Sequence, residues 1–251
     1  MTPNLLILGG TTEATALAKA VAEIGWSATV SLAGRVDRPI RQPLPQRIGG
    51  FGGPDGLSRY LTENQVTHVI DATHPFAAQM SRNTVQACQA SGVPLAAFTR
   101  PPWQERSGDD WQRVPDIPAA VDALDQKAIR VFLAVGRMHL ADFAPNPQHH
   151  YVLRLVDPPK GDLPFPDAEV IVDRGPFQEA DDLALLRSKR VDLVVSKNSG
   201  GTAAYAKIAA ARTLQLPVLM IDRPVLPKRL ELTQVPAVLD WVRQHDTDLG
   251  V

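Results

Sequence analysis

A short apolar segment near the start of the chain ends at two glycines and passes directly into a helical pattern. The segment covers residues 5–8, Gly9 and Gly10 follow it, and the helical pattern covers residues 12–24. A strand, a tight glycine turn and a helix start direct backbone N–H groups and the positive end of the helix dipole toward an anion. The feature predicts an α/β fold and favours a bound nucleotide. A glycine turn that holds no ligand is the alternative.

The glycine pattern departs from the usual dinucleotide fingerprint G-x-G-x-x-G/A. Aligned on Gly9, the second glycine is replaced by Thr11, and the third position is Ala14, where alanine is allowed. The small residues still let a pyrophosphate approach the backbone. We expect the hydroxyls of Thr11 and Thr12 to donate hydrogen bonds to it.

The second β-rich segment, residues 27–32, ends without the acid that usually binds the ribose 2′-hydroxyl of NAD. Ser31 lies near its end, Arg35 follows, and the first acid is Asp37. A guanidinium forms charge-assisted, often bidentate bonds to phosphate, so Ser31 and Arg35 favour NADP over NAD. A solvated loop arginine is the alternative for Arg35.

Apolar segments alternate with helical patterns along the chain, and the alternation restarts near residue 130. Such alternation is typical of mostly parallel sheets covered by helices. The stretch 99–118 is rich in proline and polar residues and indicates a crossover or linker. We therefore predict an α/β protein of two Rossmann-like domains, residues 1–110 and 111–251, with mostly parallel sheets and an interdomain cleft.

Composition narrows the functional classes. The formal net charge of −1 gives no general attraction to nucleic acid or to membranes. The single cysteine, Cys88, excludes a disulfide within the chain, and His149 and His150 lack partners at ligand spacing, so no metal is predicted. No basic signal sequence and no apolar run near about 18 residues is visible, which predicts a cytoplasmic protein.

Polar residues follow several predicted strands, at the carboxyl ends where ligands bind in open α/β sheets. Thr73 and His74 follow one strand, and Pro75 predicts a helix start with either of them as the N-cap. We expect His74 to position a ligand rather than transfer a proton.

The most polar run consists of Lys197, Asn198, Ser199, Gly200 and Gly201. This run leads into a helical pattern from Thr202 and predicts a second anion site, with ordinary turn chemistry as the alternative.

Arginines also gather at predicted strand ends, where an array of guanidinium groups suits a ligand with many carboxylates. The candidates for substrate binding are Arg137, Arg154 and Arg223. Surface arginines without a ligand are the alternative. A short-chain-type reductase is excluded, because none of Tyr60, Tyr151 and Tyr205 has a lysine four residues later.

Five segments, in order and across nearly the whole chain, together resemble the precorrin-6A reductase family of cobalamin biosynthesis. They are ILGGTTEA at 7–14, DATHPFA at 71–77, VGR at 135–137, SKNSGG at 196–201 and IDRP at 221–224. The resemblance implies NADPH-dependent reduction of one double bond of precorrin-6A, giving precorrin-6B. It also implies two α/β domains with the cofactor in the cleft between them, and neither metal nor flavin.

By position, the resemblance implies that residues 9–12 with Ser31 and Arg35 hold the adenosine and phosphate end of NADPH. Thr73 and His74 would lie near the cofactor, and residues 197–201 would approach it from the second domain. The macrocycle carries acetate and propionate arms, which suit the arginines. Contact with neighbouring pathway enzymes is a further expectation.

The resemblance names no catalytic residue. A hydride goes to one ring carbon and a proton to another, and an iminium-like ring nitrogen would make the macrocycle electrophilic without a side-chain acid. Two alternatives stay open. One is an NADH-dependent cobalt-precorrin-6A reductase, and the other is a non-catalytic dinucleotide-binding regulatory domain on the same fold.

Overall fold

The computed structural model describes residues 2–34 and 40–248, and contacts between residues divide the chain into two compact units. The first comprises Met1–Pro101 and Val225–Val251, and the second comprises Pro102–Pro224. This division differs from the predicted one at residue 110, because the C-terminal segment returns to the first unit. Its strand joins the first sheet, and its helix packs on the first helix of the chain.

The helices and strands alternate in both units. The first unit begins with β1 (Asn4–Leu8), α1 (Thr12–Glu23), β2 (Ser27–Leu32), β3 (Gln46–Ile48), α2 (Gly53–Glu63), β4 (His68–Asp71), α3 (Ala78–Ser91) and β5 (Leu95–Phe98). The second unit contains β6 (Trp111–Val114), α4 (Ile117–Asp122), β7 (Arg130–Ala134), β8 (His150–Leu155), β9 (Ala168–Val172), α5 (Glu179–Ser188), β10 (Leu193–Lys197), α6 (Ala206–Leu214) and β11 (Val218–Ile221). The chain then adds β12 (Leu230–Leu232) and α7 (Val235–Asp248) to the first unit.

The sheet of the first unit has the strand order β3-β2-β1-β4-β5-β12, and its strands pair in parallel. This is the dinucleotide-fold order 3-2-1-4-5-6, with β12 as the sixth strand. The order reverses direction between β1 and β4. Ligands of such sheets bind beyond the carboxyl ends of the two strands at this switch point.

The sheet of the second unit has the order β9-β8-β7-β10-β11-β6, again with parallel pairing. It repeats the same arrangement, and its switch point lies between β7 and β10. Its sixth strand, β6, precedes the other five in the chain, whereas β12 follows the other strands of its own sheet. The predicted fold class, two Rossmann-like units with parallel sheets, is confirmed.

Helix α1 shows why these sequences bury their helices on the sheets. Leu17, Ala18 and Val21 recur at helical spacing, and all three are buried against the first sheet. Helix α7 adds Val238 and Trp241 to the same core. No helix within the described ranges is both long enough and apolar enough to span a membrane.

Candidate active site

The glycine turn follows β1 at the switch point of the first sheet. The Gly9 amide donates to the Ser31 carbonyl at 2.8 Å. A Cβ at Gly9 would lie 3.1 Å from Val30 Cγ1 and 3.3 Å from Leu32 Cδ2, so a larger residue would push these neighbours apart. Gly10 has φ of +113°, which favours glycine. The turn therefore needs both glycines, for two different reasons.

Thr11 fastens the start of α1 to the neighbouring strand. As N-cap, its hydroxyl accepts from the Ala14 amide at 3.1 Å and donates to the Ala72 carbonyl at 2.8 Å, beyond the end of β4. A hydroxyl has one proton, and this one is already donated. The expectation that the Thr11 side chain donates to a phosphate is therefore wrong in this structure. Its role is to hold the two sides of the switch point together.

The backbone at the start of α1 remains suited to an anion. The first amides of a helix have no intrahelical acceptor, and the Thr11 cap satisfies only that of Ala14, which leaves the amides of Thr12 and Glu13. The Thr12 hydroxyl donates its one proton to the Glu13 carboxylate at 3.1 Å, so the expectation that it donates to a phosphate is also wrong in this structure. Arg100 pairs with the same carboxylate at 2.5 Å. Arg100 thus neutralises the one acid in this turn of the helix. The glycine turn and these amides fit the pyrophosphate of a dinucleotide.

At the carboxyl end of β2, a serine contacts an arginine of the neighbouring strand β3, a pairing that the sequence did not predict. Ser31 is 6% exposed, and its hydroxyl accepts from Arg47 Nη1 at 2.8 Å. Arg47 lies in β3, directly opposite Ser31 in the parallel register. Arg35, the arginine predicted to bind here, lies outside the described residues.

Asp71 at the end of β4 organises the loop that follows. One carboxylate oxygen accepts from the Thr73 amide at 3.2 Å and from the Thr73 hydroxyl at 2.7 Å. The other accepts from the Ser81 hydroxyl at 2.6 Å and forms an ion pair with Arg229. The side chains of Asp71 and Arg229 are 1% and 8% exposed. Sequence reasoning placed Thr73 at the site but missed the buried carboxylate and arginine that hold it there.

His74 lies in a turn and not at a helix start. The His74 carbonyl accepts from the Ala77 amide at 2.7 Å, and α3 begins only at Ala78, so the predicted N-cap at Thr73 or His74 is wrong. Pro75 occupies the second position of the turn, which its fixed φ also suits. His74 Nδ1 accepts from the Phe76 amide at 3.2 Å. The neutral ring therefore carries its proton on Nε2, as a donor.

In the second unit, the loop after β10 is held by Trp103. Asn198 is 3% exposed, and its side-chain amide accepts from the Trp103 amide at 2.8 Å and donates to the Trp103 carbonyl at 3.0 Å. Trp103 Nε1 in turn donates to the Gly201 carbonyl at 2.6 Å. Asn198 was predicted to bind a cofactor, but its side chain holds a backbone segment of its own unit instead.

The glycines of this loop do not lie at a helix start. Gly200 and Gly201 have φ of +69° and +70°, and a turn from Thr202 to Tyr205 separates them from α6, which begins at Ala206. The predicted helix start at Thr202 is therefore wrong. Ser199 is buried, and half-buried Lys197 ends β10 at the switch point.

The three arginines proposed for substrate carboxylates have different surroundings. Arg154 forms a buried bidentate ion pair with Asp182, and its guanidinium carbon lies 3.7 Å from the centre of the Phe177 ring. Arg154 is therefore engaged within its own unit, and the prediction that it binds the substrate is wrong in this structure. Arg223 donates to the carbonyls of Asn198 and Ser199 at 3.0 and 3.1 Å. Arg137 is exposed just beyond β7.

The histidine pair 149–150 serves the structure locally. His149 is fully buried, with Nδ1 accepting from the Ile129 amide at 3.2 Å and Nε2 bonded to the Leu124 carbonyl at 2.8 Å. His150 pairs with Asp167 at 2.8 Å. Within residues 2–34 and 40–248, no three His, Cys, Asp or Glu side chains are grouped to hold a metal ion.

The protein has two parallel sheets of dinucleotide-fold order, and the first has a glycine turn and available helix amides at its switch point. These features define an α/β protein of the nucleotide-binding Rossmann-like class. The family model described as precorrin-6x reductase CbiJ/CobK matches residues 4–243. The chain belongs to this family, and the sequence resemblance is confirmed.

Individual relatives agree with this membership. The chain is 57% identical to a precorrin-6A reductase of Rhodobacter capsulatus over 96% of each chain, and 50% identical to one of Sinorhizobium sp. over 88% of this chain and 85% of that one. A solved structure described as CobK precorrin-6A reductase is 56% identical, with a TM-score of 0.93 and 97% of each chain covered. The protein is thus an oxidoreductase, and a reductase family implies a nicotinamide cofactor.

Proposed function

We propose that the protein reduces precorrin-6A to precorrin-6B in cobalamin biosynthesis, with NADPH as the reductant. The observation that supports this substrate is the 57% identity to a precorrin-6A reductase over 96% of both chains. A cobalt-precorrin-6A reductase of Priestia megaterium is only 29% identical, over 88% of this chain. The relatives therefore favour the metal-free macrocycle as substrate.

The first unit supplies a binding site for the pyrophosphate. Gly9 and Gly10 let a ligand approach the backbone, and the amides of Thr12 and Glu13 are left to donate. Arg100 neutralises Glu13, so the positive end of the helix dipole is not cancelled by that carboxylate. We assign this turn to the cofactor, and in the second unit we assign Lys197, Ser199, Gly200 and Gly201 to ligand binding, without the Asn198 side chain.

A nicotinamide, when bound, would supply the hydride. For the chain's own residues, the task is to fix the orientation of the reacting groups, since reaction requires an approach of about 3–3.5 Å between reacting atoms. Asp71 fixes the loop that carries Thr73 and His74, and within this loop His74 Nδ1 accepts from the Phe76 amide. We assign Arg137 and Arg223 to the carboxylate arms of the macrocycle.

The test uses the full chain with precorrin-6A and either NADPH or NADH under anaerobic conditions. We expect cofactor oxidation only when the macrocycle is present, a product heavier by two hydrogens, and a higher kcat/KM with NADPH. Cobalt-precorrin-6A serves as the competing substrate. Cofactor binding without oxidation would contradict the enzyme assignment, and equal rates with both cofactors would contradict the NADPH assignment alone.

A further inference from the structure

Arg47 lies where dinucleotide folds bind the adenosine ribose. This position is the carboxyl end of the second strand, where an acid binds the 2′-hydroxyl of NAD and an arginine accommodates the 2′-phosphate of NADP. In the first unit β2 ends at Leu32, and Arg47 stands opposite Ser31 on the adjacent strand β3. From Ser31 to Pro54 the only acid in the sequence is Asp37.

The Arg47 guanidinium is held in place by contacts within its own unit. Nη1 donates to the Ser31 hydroxyl at 2.8 Å and to the Gly49 carbonyl at 3.0 Å, and Nη2 donates to the Gly50 carbonyl at 3.0 Å. One face packs on Phe51, with 3.8 Å between the guanidinium carbon and the ring centre. A side chain fixed in this way loses little further entropy on binding a ligand.

These contacts leave both charge and donors for an anion. A guanidinium has five N–H donors, and the contacts above use three of them, so the N–H on Nε and one on Nη2 remain. The three acceptors are a hydroxyl and two carbonyls, so among the described residues the hydrogen bonds of Arg47 bring it no carboxylate. A half-buried cation without a neutralising acid suits a phosphate.

We infer that Arg47 binds the 2′-phosphate of NADPH and makes the enzyme prefer NADPH to NADH. The inference rests on the proposed function, because it requires a nicotinamide dinucleotide at the glycine turn. It moves the phosphate contact from Arg35, the residue favoured by the sequence alone, to an arginine on the neighbouring strand.

The test compares equilibrium binding of NADP⁺ and NAD⁺ by calorimetry to the wild type, Arg47→Gln, Arg47→Lys and Arg35→Ala. The matched control is Arg59→Gln, an exposed arginine on α2 of the same unit. We expect Arg47→Gln to raise the Kd of NADP⁺ by about 10- to 100-fold, as for loss of charged hydrogen bonds, with little change for NAD⁺. Arg47→Lys should lose part of the preference, because it keeps the charge without the planar fork.

Equal weakening for both cofactors would make Arg47 a support of the Gly49–Gly50 turn and would overturn the inference. Retained preference in Arg47→Gln with loss in Arg35→Ala would overturn it in favour of Arg35. If the wild type itself does not prefer NADP⁺, the NADPH part of the proposed function fails together with the inference.

A measurement on the wild type covers the case in which Arg47→Gln does not fold. NADP⁺, but not NAD⁺, should protect Arg47 from an arginine-specific dicarbonyl reagent, with the modified residue located by peptide mass spectrometry. Equal protection by both cofactors, or protection by neither, would overturn the inference.

Discussion

The two units have the same strand order, but they use the ends of their central strands differently. In the first unit β1 passes into α1 through residues 9–11, and the helix amides stay available to an anion. In the second unit the most polar segment follows β10, which by strand order is the counterpart of β4 and not of β1. Residues 198–205 separate β10 from α6 there, and side chains of Trp103 and Arg223 bind the loop carbonyls. The comparison teaches that strand order locates a site, whereas the residues just beyond the strands decide what can bind there.

Buried ion pairs give the largest expected effect. Each unit has one beside its sheet, Asp71–Arg229 in the first and Arg154–Asp182 in the second. Removing one partner leaves a buried charge, so Asp71→Ala and Asp182→Ala should each lower the unfolding free energy by about 3–5 kcal/mol in urea titrations.

The KM values distinguish the effects of the two substitutions. Asp71→Ala should also change the KM values, because Asp71 holds the Thr73 amide and hydroxyl. Asp182→Ala should leave the KM values near those of the wild type at a temperature where both variants are folded. Unchanged KM values in Asp71→Ala would show that this pair, like Arg154–Asp182, acts only through stability.

Replacing a turn glycine with valine tests which of the two strand ends contacts the cofactor. Gly10→Val forces a branched side chain to φ near +113°, beside the helix amides, and should raise the Kd of NADPH by about 10- to 100-fold. Gly200→Val, at φ of +69°, should raise it by a smaller factor while the fold survives. An equal effect in fluorescence titrations would make residues 197–201 a direct cofactor contact of the same strength, and the contrast between the two ends would be lost.

His74 should contribute less than a general acid would. General acid catalysis is typically worth 10²–10⁴-fold in rate, and we expect His74→Ala to cost less than about 100-fold, mainly in KM. His74→Asn should recover part of the loss, since an amide also donates. The measurement is steady-state NADPH oxidation with precorrin-6A. A fall in kcat of about a thousandfold in both variants, with unchanged cofactor affinity, would make His74 the catalytic acid.

Each unit also buries one weak acid, and these groups predict an alkaline loss of stability. Burial, helped by the Asp71 charge, raises the pKa of Cys88 from 9.0 to about 12, and burial raises the pKa of Tyr151 from 10.0 to about 12. In both cases the unfolded chain ionises first, so the stability present at lower pH is lost as pH rises through this window. Each group should add a slope of about 1.4 kcal/mol per pH unit.

Cys88→Ala should remove the part of this slope that begins near pH 9, and Tyr151→Phe the part that begins near pH 10. Urea titrations across the alkaline range measure both slopes. Unchanged slopes in the two variants would show that neither group stays protonated in the folded protein.

The sequence predicted the two parallel sheets and the positions of the strand-end segments, because apolar strands end where polar and glycine residues begin. It did not predict how individual side chains are used there. Thr11, Asn198 and Arg154 have the right chemistry for a ligand, but each is engaged by a partner distant in the sequence. Such pairings arise from the tertiary fold and leave no local pattern.

The predictions of helix starts and edge strands failed for a more local reason. Helices α3 and α6 begin after Ala77 and Tyr205, neither of which makes a side-chain cap, so the polar residues upstream misled the prediction. Strands β3 and β12 have three residues each, too few for a periodic signal, and β6 lies in the stretch interpreted as a linker. Arg47 was missed for this reason, since its strand was not recognised.

The return of the chain to its first sheet has a consequence for synthesis on the ribosome. The first unit starts to emerge first, yet β5 lacks its neighbour β12, and the core lacks Val238 and Trp241, until the second unit has been translated. During that interval β5 presents an unpaired parallel edge, the kind of edge that invites association with other chains. We expect nascent chains that stop at residue 224 to depend on chaperones, while the unit begun first is the last to be completed.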